Sequence, residues 1–145
     1  MLFRSSALVV GGGTGYGAAA LARLVRSVVT LECEPRLAAE IRANLSALGV
    51  GNASVVEGAL ADGAPAKGPY DIILIEGSVP AVPDALVKQL ADEGRLIAVV
   101  AGDVPGRTGQ VRLGRKVQGV FSSRPIFDAG SPLLPGFEKP RAFVF

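Results

Sequence analysis

The sequence contains no histidine and only one cysteine, Cys33. Without histidine there can be no Ser-His-Asp triad, no Cys-His pair and no imidazole metal ligand. A single cysteine excludes an internal disulfide and any multi-thiolate zinc site. Long apolar runs are missing too: nothing approaches the roughly 20 residues needed to span a bilayer. Arg4, the apolar ALVV at 7–10 and small residues near position 20 imitate a targeting signal. Gly11, Gly12, Gly13, Gly15 and Gly17 interrupt it, so the segment reads as strand, loop and helix. A cytoplasmic chain without membrane attachment is expected. Much hydrolase and metalloenzyme chemistry is excluded before any motif is considered.

What is present suits one domain spanning residues 1–145. Hydrophobic residues make up 49% and charged residues 19%, enough to build a core. The 19 glycines and 10 prolines follow no fixed period, which excludes a collagen-like chain. The net charge of +2 is unevenly placed: residues 1–106 carry 8 basic and 11 acidic side chains, residues 107–145 carry 7 and 2. The basic residues at the end are Arg107, Arg112, Arg115, Lys116, Arg124, Lys139 and Arg141. They are scattered, and no aromatic platform interleaves with them, so nucleic acid is not an expected partner. A solvated face on edge strands accounts for them.

Five apolar runs read as strands: ALVV (7–10), SVVTLE (27–32), ASVVE (53–57), YDIILIE (70–76) and RLIAVV (95–100). They are nearly continuous in apolarity, as expected of strands covered on both faces. Helical patterns fall between them. In residues 35–48, Pro35 suits the first helical position and Glu34 the acidic cap. Leu37, Ile41, Leu45 and Leu48 share one face, and Gly49 ends the run. Further helices are expected over 16–26, with Ala18, Leu21 and Val25 inward, and over 82–91, with Leu86 and Leu90 inward. Alternating strands and helices predict a doubly wound, mostly parallel α/β sheet. After Val100 the pattern changes. The segments 110–117 and 120–127, with Gly119 between them, predict an antiparallel hairpin closing the sheet, and 140–145 predicts a last short strand.

The segment VVGGGTGYG (9–17) sits where the first strand meets the first helix. Glycines there allow a sharp turn and close approach of a ligand to main-chain N–H groups. Two templates compete. Gly13-x-Gly15-x-x-Ala18, with Glu32 17 residues beyond Gly15, fits a dinucleotide fingerprint. Gly11-x-Gly13-x-Gly15 fits the spacing of S-adenosylmethionine-dependent methyltransferases. In both, Glu32 ends the second strand and its carboxylate can accept hydrogen bonds from both hydroxyls of a ribose. Cys33 can line that ribose site, although its acidic neighbours disfavour a thiolate. Asp71 reads as a brace between loops. Glu76, Gly77 and Ser78 leave the fourth strand at its carboxyl end, where open α/β sheets bind ligands.

The ordered series GGGTGY, LECEP, VVEG, PYDIILIEG followed by VPAVPDAL, and LADEGRLIAVV resembles class I methyltransferases. More narrowly, it resembles the protein-L-isoaspartate O-methyltransferase family, and GVFSSRPIFDAGSPLLPGF is similar to that family's final strand region. The resemblance implies a Rossmann-like methyltransferase fold and S-adenosyl-L-methionine as cofactor. It implies Gly11, Gly13, Thr14, Gly15, Tyr16, Glu32, Cys33, Gly58, Ala59 and Glu76 as cofactor-binding residues, with Tyr16 packed over the glycine loop. It also implies methyl transfer to a protein or peptide carboxylate, for which no general base is needed because a carboxylate is already ionised at neutral pH. No catalytic residue and no metal site is assigned.

The sequence departs from the family pattern where Val9 and Ala59 replace the usual acids, which is expected to weaken cofactor binding. The first strand begins near residue 7, so the segment that precedes the family's catalytic domain is expected to be lacking and isoaspartyl methylation low. Two alternatives stand beside this reading. One is a truncated paralogue acting as a non-catalytic binding module. The other is an NAD-binding oxidoreductase domain, which rests on the glycine pattern alone.

Overall fold

The structure, a computed structural model, describes residues 4–102 and 108–137. Its elements in order are β1 (Ser6–Val10), α1 (Tyr16–Ala22), β2 (Ser27–Glu32), α2 (Pro35–Ala47), β3 (Ala53–Glu57), β4 (Tyr70–Val79), α3 (Asp84–Gln89), β5 (Leu90–Val100), β6 (Gly109–Val117) and β7 (Val120–Ala129). Two 3-10 turns, Leu60–Asp62 and Pro65–Lys67, link β3 to β4. The strands form one sheet in the order β3-β2-β1-β4-β5-β6-β7. The first five pair in parallel, and β6 and β7 close the edge antiparallel, as the sequence pattern predicts.

Ala7, Leu8, Val9 and Val10 of β1 are all fully buried, because apolar layers cover both faces of the central strand. Ala7 and Val9 join Ala18, Val25, Val28, Ile41 and Leu45 under α1 and α2. Leu8 and Val10 join Leu31, Tyr70, Ile73, Leu86 and Leu96 on the opposite face, under α3. Each such Val, Leu or Ile contributes roughly 1.5–3 kcal/mol on burial, so β1 is the axis on which the fold is built. Asp71 Oδ2 accepts the Ser6 N–H at 2.9 Å, bracing the start of that axis as its position suggests.

Helix boundaries differ in detail from the expected ones. Helix α1 stops at Ala22, yet Val25 still turns inward, held by its N–H donating to the Leu21 carbonyl. Pro35 opens α2 as expected, but the Glu34 side chain makes no cap hydrogen bond and instead meets Arg36 at 3.3 Å. Ala38, Ile41 and Leu45 are the buried face of α2, whereas Leu48 is 56% exposed. Leu48 is the C-cap, and Gly49 behind it takes a left-handed φ of 68°. Val50 N–H then donates to Leu45 and Gly49 N–H to Ser46, each at 3.0 Å, a Schellman closure that swings Leu48 off the core face. Helix α3 is shorter than expected because Leu90, buried as expected, already pairs with Tyr70 as the first residue of β5. A register shift between Tyr70 and Ile72 takes up the extra residues 91–94, with Glu93 at a φ of 64°.

The predicted hairpin forms through Gln118 and Gly119, both at positive φ, the conformation that matches the twist of paired strands. Arg112, Arg115, Lys116 and Arg124 lie on its two strands. Arg115 pairs with Glu93 at 2.7 Å, and Lys116 Nζ donates to the Val87 and Leu90 carbonyls at the end of α3. The expected strand over 140–145, and Arg107, Lys139 and Arg141, lie outside the described residues.

Candidate functional site

Strand order reverses at β1, whose neighbours are β2 and β4, and ligands of open α/β sheets bind where such a reversal opens the carboxyl ends. The loop leaving β1 there is built from left-handed backbone: Gly11, Gly13 and Gly15 have φ of 78°, 55° and 93°. That alternation is why the sequence needs a glycine at every second position. Gly11 and Gly12 N–H groups both donate to the Leu31 carbonyl, and Gly15, donating to Gly12, is the N-cap of α1.

A cavity of about 320 Å³ opens beside this loop. Gly11, Gly13, Glu32, Cys33 and Glu76 line it, so five of the ten sequence-derived site residues converge. The other five do not line it. Tyr16 is 71% exposed and is not packed over the loop, because it is the first residue of α1 and projects outward. Thr14 lends its carbonyl to Asn44 Nδ2 at 2.8 Å, tying the loop to α2. Gly15 packs against Ile41. Gly58 N–H donates to the Glu32 carbonyl at 3.1 Å, and Ala59 is exposed at the start of a 3-10 turn. Val9, where the family pattern has an acid, belongs to the apolar core under α1 and α2.

The two acids flank the loop. Leu31 and Ile75 both lie opposite Val10, so Glu32 and Glu76 occupy one row, a strand to either side of β1. Both fall on the face covered by α1, since Val28 and Ile72 of the same alternation pack with that face. Glu32 is 4% exposed. Its Oε1 accepts the Cys33 N–H at 3.0 Å and the Glu34 N–H at 3.3 Å, which fixes the carboxylate, and the described residues place no hydrogen bond on Oε2. The Cys33 thiol donates to the same Oε1 at 3.6 Å. Partial desolvation and then the Glu32 charge push the thiol pKa up, so Cys33 stays protonated. Burial pushes the Glu76 carboxyl up as well. Its carboxylate sits under the first turn of α1, where a Cβ on Gly17 would fall on it.

Three groups of lining residues carry no signal at sequence level. Leu37 and Leu60 supply apolar wall from α2 and from the turn after β3. Glu34 adds a third carboxylate. The segment 131–135 crosses the carboxyl ends of the strands, pinned by Ser78. Ser78 Oγ donates to the Ser131 carbonyl at 2.7 Å, Ser78 N–H to Pro132 at 3.0 Å, and Leu134 N–H returns to Ser78 at 2.9 Å. Leu134 fills the space above Gly77, where a Cβ would lie 2.6 Å from its Cγ. A larger cleft of about 460 Å³, lined by Arg95, Arg115 and Arg124, lies on the antiparallel half of the sheet, away from these carboxyl ends.

No lysine or arginine lines the cavity among the described residues, against three carboxylates. A pyrophosphate would find no side-chain cation there to offset the three carboxylates, which favours a cationic ligand over a nicotinamide dinucleotide. The carboxylates suit a ligand that carries positive charge. Sheet order and the glycine loop together define the Rossmann-like methyltransferase fold. A solved protein-L-isoaspartate O-methyltransferase superposes with a TM-score of 0.86 at 28% identity, over 93% of this chain and 43% of that one. A Plasmodium falciparum structure in complex with S-adenosyl-L-homocysteine gives 0.76 at 23% identity, over 88% of this chain and 64% of that one, which speaks for the fold alone.

The chain belongs to the protein-L-isoaspartate(D-aspartate) O-methyltransferase family, whose profile matches residues 3–121. The protein-L-isoaspartate O-methyltransferase of Methanoregula boonei is 48% identical over 95 residues, 66% of this chain and 44% of that protein. That of Roseiflexus castenholzii is 44% identical over the same length, again 66% and 44%. The chain therefore spans a little under half the length of these relatives. The comparisons favour neither the binding-module nor the oxidoreductase alternative. No helix among the described residues is long and apolar enough to cross a membrane.

Proposed function

We propose that this chain binds S-adenosyl-L-methionine in the cavity beside the glycine loop and transfers its methyl group to the isoaspartyl carboxylate of a protein or peptide. The observation that carries this reading is the row of Glu32 and Glu76 on either side of the glycine loop, in a cavity that has no basic side chain among the described residues. Bound there, the cofactor supplies a methyl group on positively charged sulfur, which an ionised carboxylate accepts without a general base. The chain's own residues hold and enclose it. Glu32, its carboxylate fixed by two backbone N–H groups, offers Oε2 to ribose hydroxyls. Gly11 and Gly13 let the ligand approach the backbone closely. Leu37, Leu60 and Leu134 exclude water, so that alignment of the reacting atoms supplies most of the rate.

One domain over residues 1–145 accounts for this site. The role that this acceptor implies is protein repair, in the cytoplasm. Calorimetric titration with S-adenosylhomocysteine and with NAD, side by side, tests the cofactor. Saturable binding of S-adenosylhomocysteine alone is expected, and binding of NAD alone overturns the reading. Incorporation of labelled methyl into an isoaspartyl peptide, with the aspartyl peptide as control, tests the acceptor. Turnover is expected to be low, given Val9 and Ala59 at positions where the family pattern has acids. Equal labelling of both peptides refutes the acceptor class.

A further inference from the structure

Among the described residues, Glu76 is the one acid of the cavity with no partner. Glu32 is held by backbone N–H groups and Glu34 meets Arg36, but no hydrogen bond or ion pair reaches the Glu76 carboxylate among the described residues. It lines the cavity, and room is made for it: Gly17 lacks the Cβ that would fall on it, and even a Cβ added to Gly13 would lie 4.0 Å from Oε2. Among the described residues the other titratable groups on the cavity wall are Glu32, Cys33 and Glu34, none of them a cation. An acid that the fold shelters, leaves unpaired and turns toward a ligand space calls for a cation from the ligand.

Resting on the reading that the cavity takes S-adenosyl-L-methionine, we infer that Glu76 is the counter-ion of the α-ammonium group of its methionine part. Glu32 and Glu76 stand two strand spacings apart, roughly 10 Å, with the glycine loop between them. A ligand whose ribose is held at Glu32 thus presents its opposite, amino-acid end to Glu76. Of the two positive groups in the cofactor, only the ammonium has N–H donors, and charge-assisted N–H···O bonds to a carboxylate are among the stronger contacts available. The sulfonium, lying between the two ends, offers none.

Three ligands separate the possibilities. S-adenosylhomocysteine has the ammonium and no sulfonium, S-adenosylmethionine has both, and 5′-methylthioadenosine has neither. Calorimetric titration of the parent chain and of Glu76→Gln should show S-adenosylhomocysteine and S-adenosylmethionine each weakened about tenfold or more by the substitution, the size of one lost charge-assisted bond. Binding of 5′-methylthioadenosine should be unchanged. Glu76→Asp, which keeps the charge, should recover part of the loss. Equal weakening for all three ligands, or no weakening with S-adenosylhomocysteine, overturns the inference. Weakening with S-adenosylmethionine alone also overturns it and assigns Glu76 to the sulfonium. A parent chain that binds none of the three overturns the cofactor reading itself, a result distinct from any that concerns Glu76.

Discussion

Gly12→Ala tests how the glycine loop is seated on the sheet. Gly12 is not in the left-handed region, so an alanine there meets no backbone penalty and any cost is steric. The added Cβ would land on Oγ1 of Thr30 and 3.0 Å from Cδ1 of Ile41, with Cβ of Thr30 at 3.6 Å. Thr30 is fully buried and its hydroxyl has no hydrogen-bond partner among the described residues. Overpacking of this kind costs about 1–3 kcal/mol. Thr30→Ala removes the obstructing oxygen. It also relieves a buried, unpaired hydroxyl, worth about 1–3 kcal/mol, against the loss of roughly one methyl group of packing at about 0.8 kcal/mol. By itself it should therefore be close to neutral or stabilising. In the double variant the new Cβ faces only Thr30's former Cβ at ordinary contact distance and the mobile end of Ile41. Urea denaturation of the four proteins should give a coupling free energy of about 1–3 kcal/mol, the double variant being more stable than Gly12→Ala alone. Because Gly11 and Gly13 on either side line the cavity, S-adenosylhomocysteine affinity should fall in Gly12→Ala and recover in the double variant. Additivity within about 0.5 kcal/mol would refute the packing of the loop against β2.

The remaining expectations concern the acids and the strap over the cavity. Glu32→Ala should weaken S-adenosylhomocysteine binding roughly tenfold or more, since each ~1.4 kcal/mol is tenfold and a hydrogen bond to a charged group contributes about 1.5–3 kcal/mol. Glu34→Ala should change it little, its carboxylate being engaged with exposed Arg36; calorimetry giving equal losses for the two would remove the ribose role from Glu32. Burial raises the Glu76 pKa above its ordinary 4.5, so the folded state favours the protonated form, and the stability that form contributes is lost as pH rises through the folded pKa. Glu76→Gln should accordingly melt higher than the parent at pH 7, the difference shrinking as pH falls toward 4.5; a difference that grows on acidification contradicts the burial argument. Ser78→Ala deletes the 2.7 Å bond to Ser131 and should cost about 0.5–1.5 kcal/mol in urea denaturation. Hydrogen exchange should rise at the Leu134 N–H, and unchanged protection there would mean the backbone pairing alone holds the segment.

Much of this protein is legible along the chain because the signals involved are local. The β-branched run Val28-Val29-Thr30 favours a strand at β2 by local sterics, and Pro35 and Gly49 punctuate α2 through backbone dihedrals alone. The glycine spacing at 11, 13 and 15 reports left-handed backbone at each of those residues. Glu32 is identified by its place at the end of a strand beside that loop. The family resemblance is local as well, being carried by short motifs in a fixed order.

What the sequence leaves open depends on contacts between distant parts of the chain. Only the sheet order places β4 beside β1 and so sets Glu76 level with Glu32, 44 positions away in sequence. Leu60 enters the wall because the chain turns back after β3, and Leu134 because Ser78 captures a passing loop more than 50 residues further on. Tyr16 belongs to the motif and yet faces solvent, since motif membership says nothing about which way the first residue of a helix points. Local sequence determined the elements and the loop, whose conformations are set by short-range sterics and hydrogen bonding. The pairing of strands determined the site, because a cavity is a relation between surfaces that no single segment possesses.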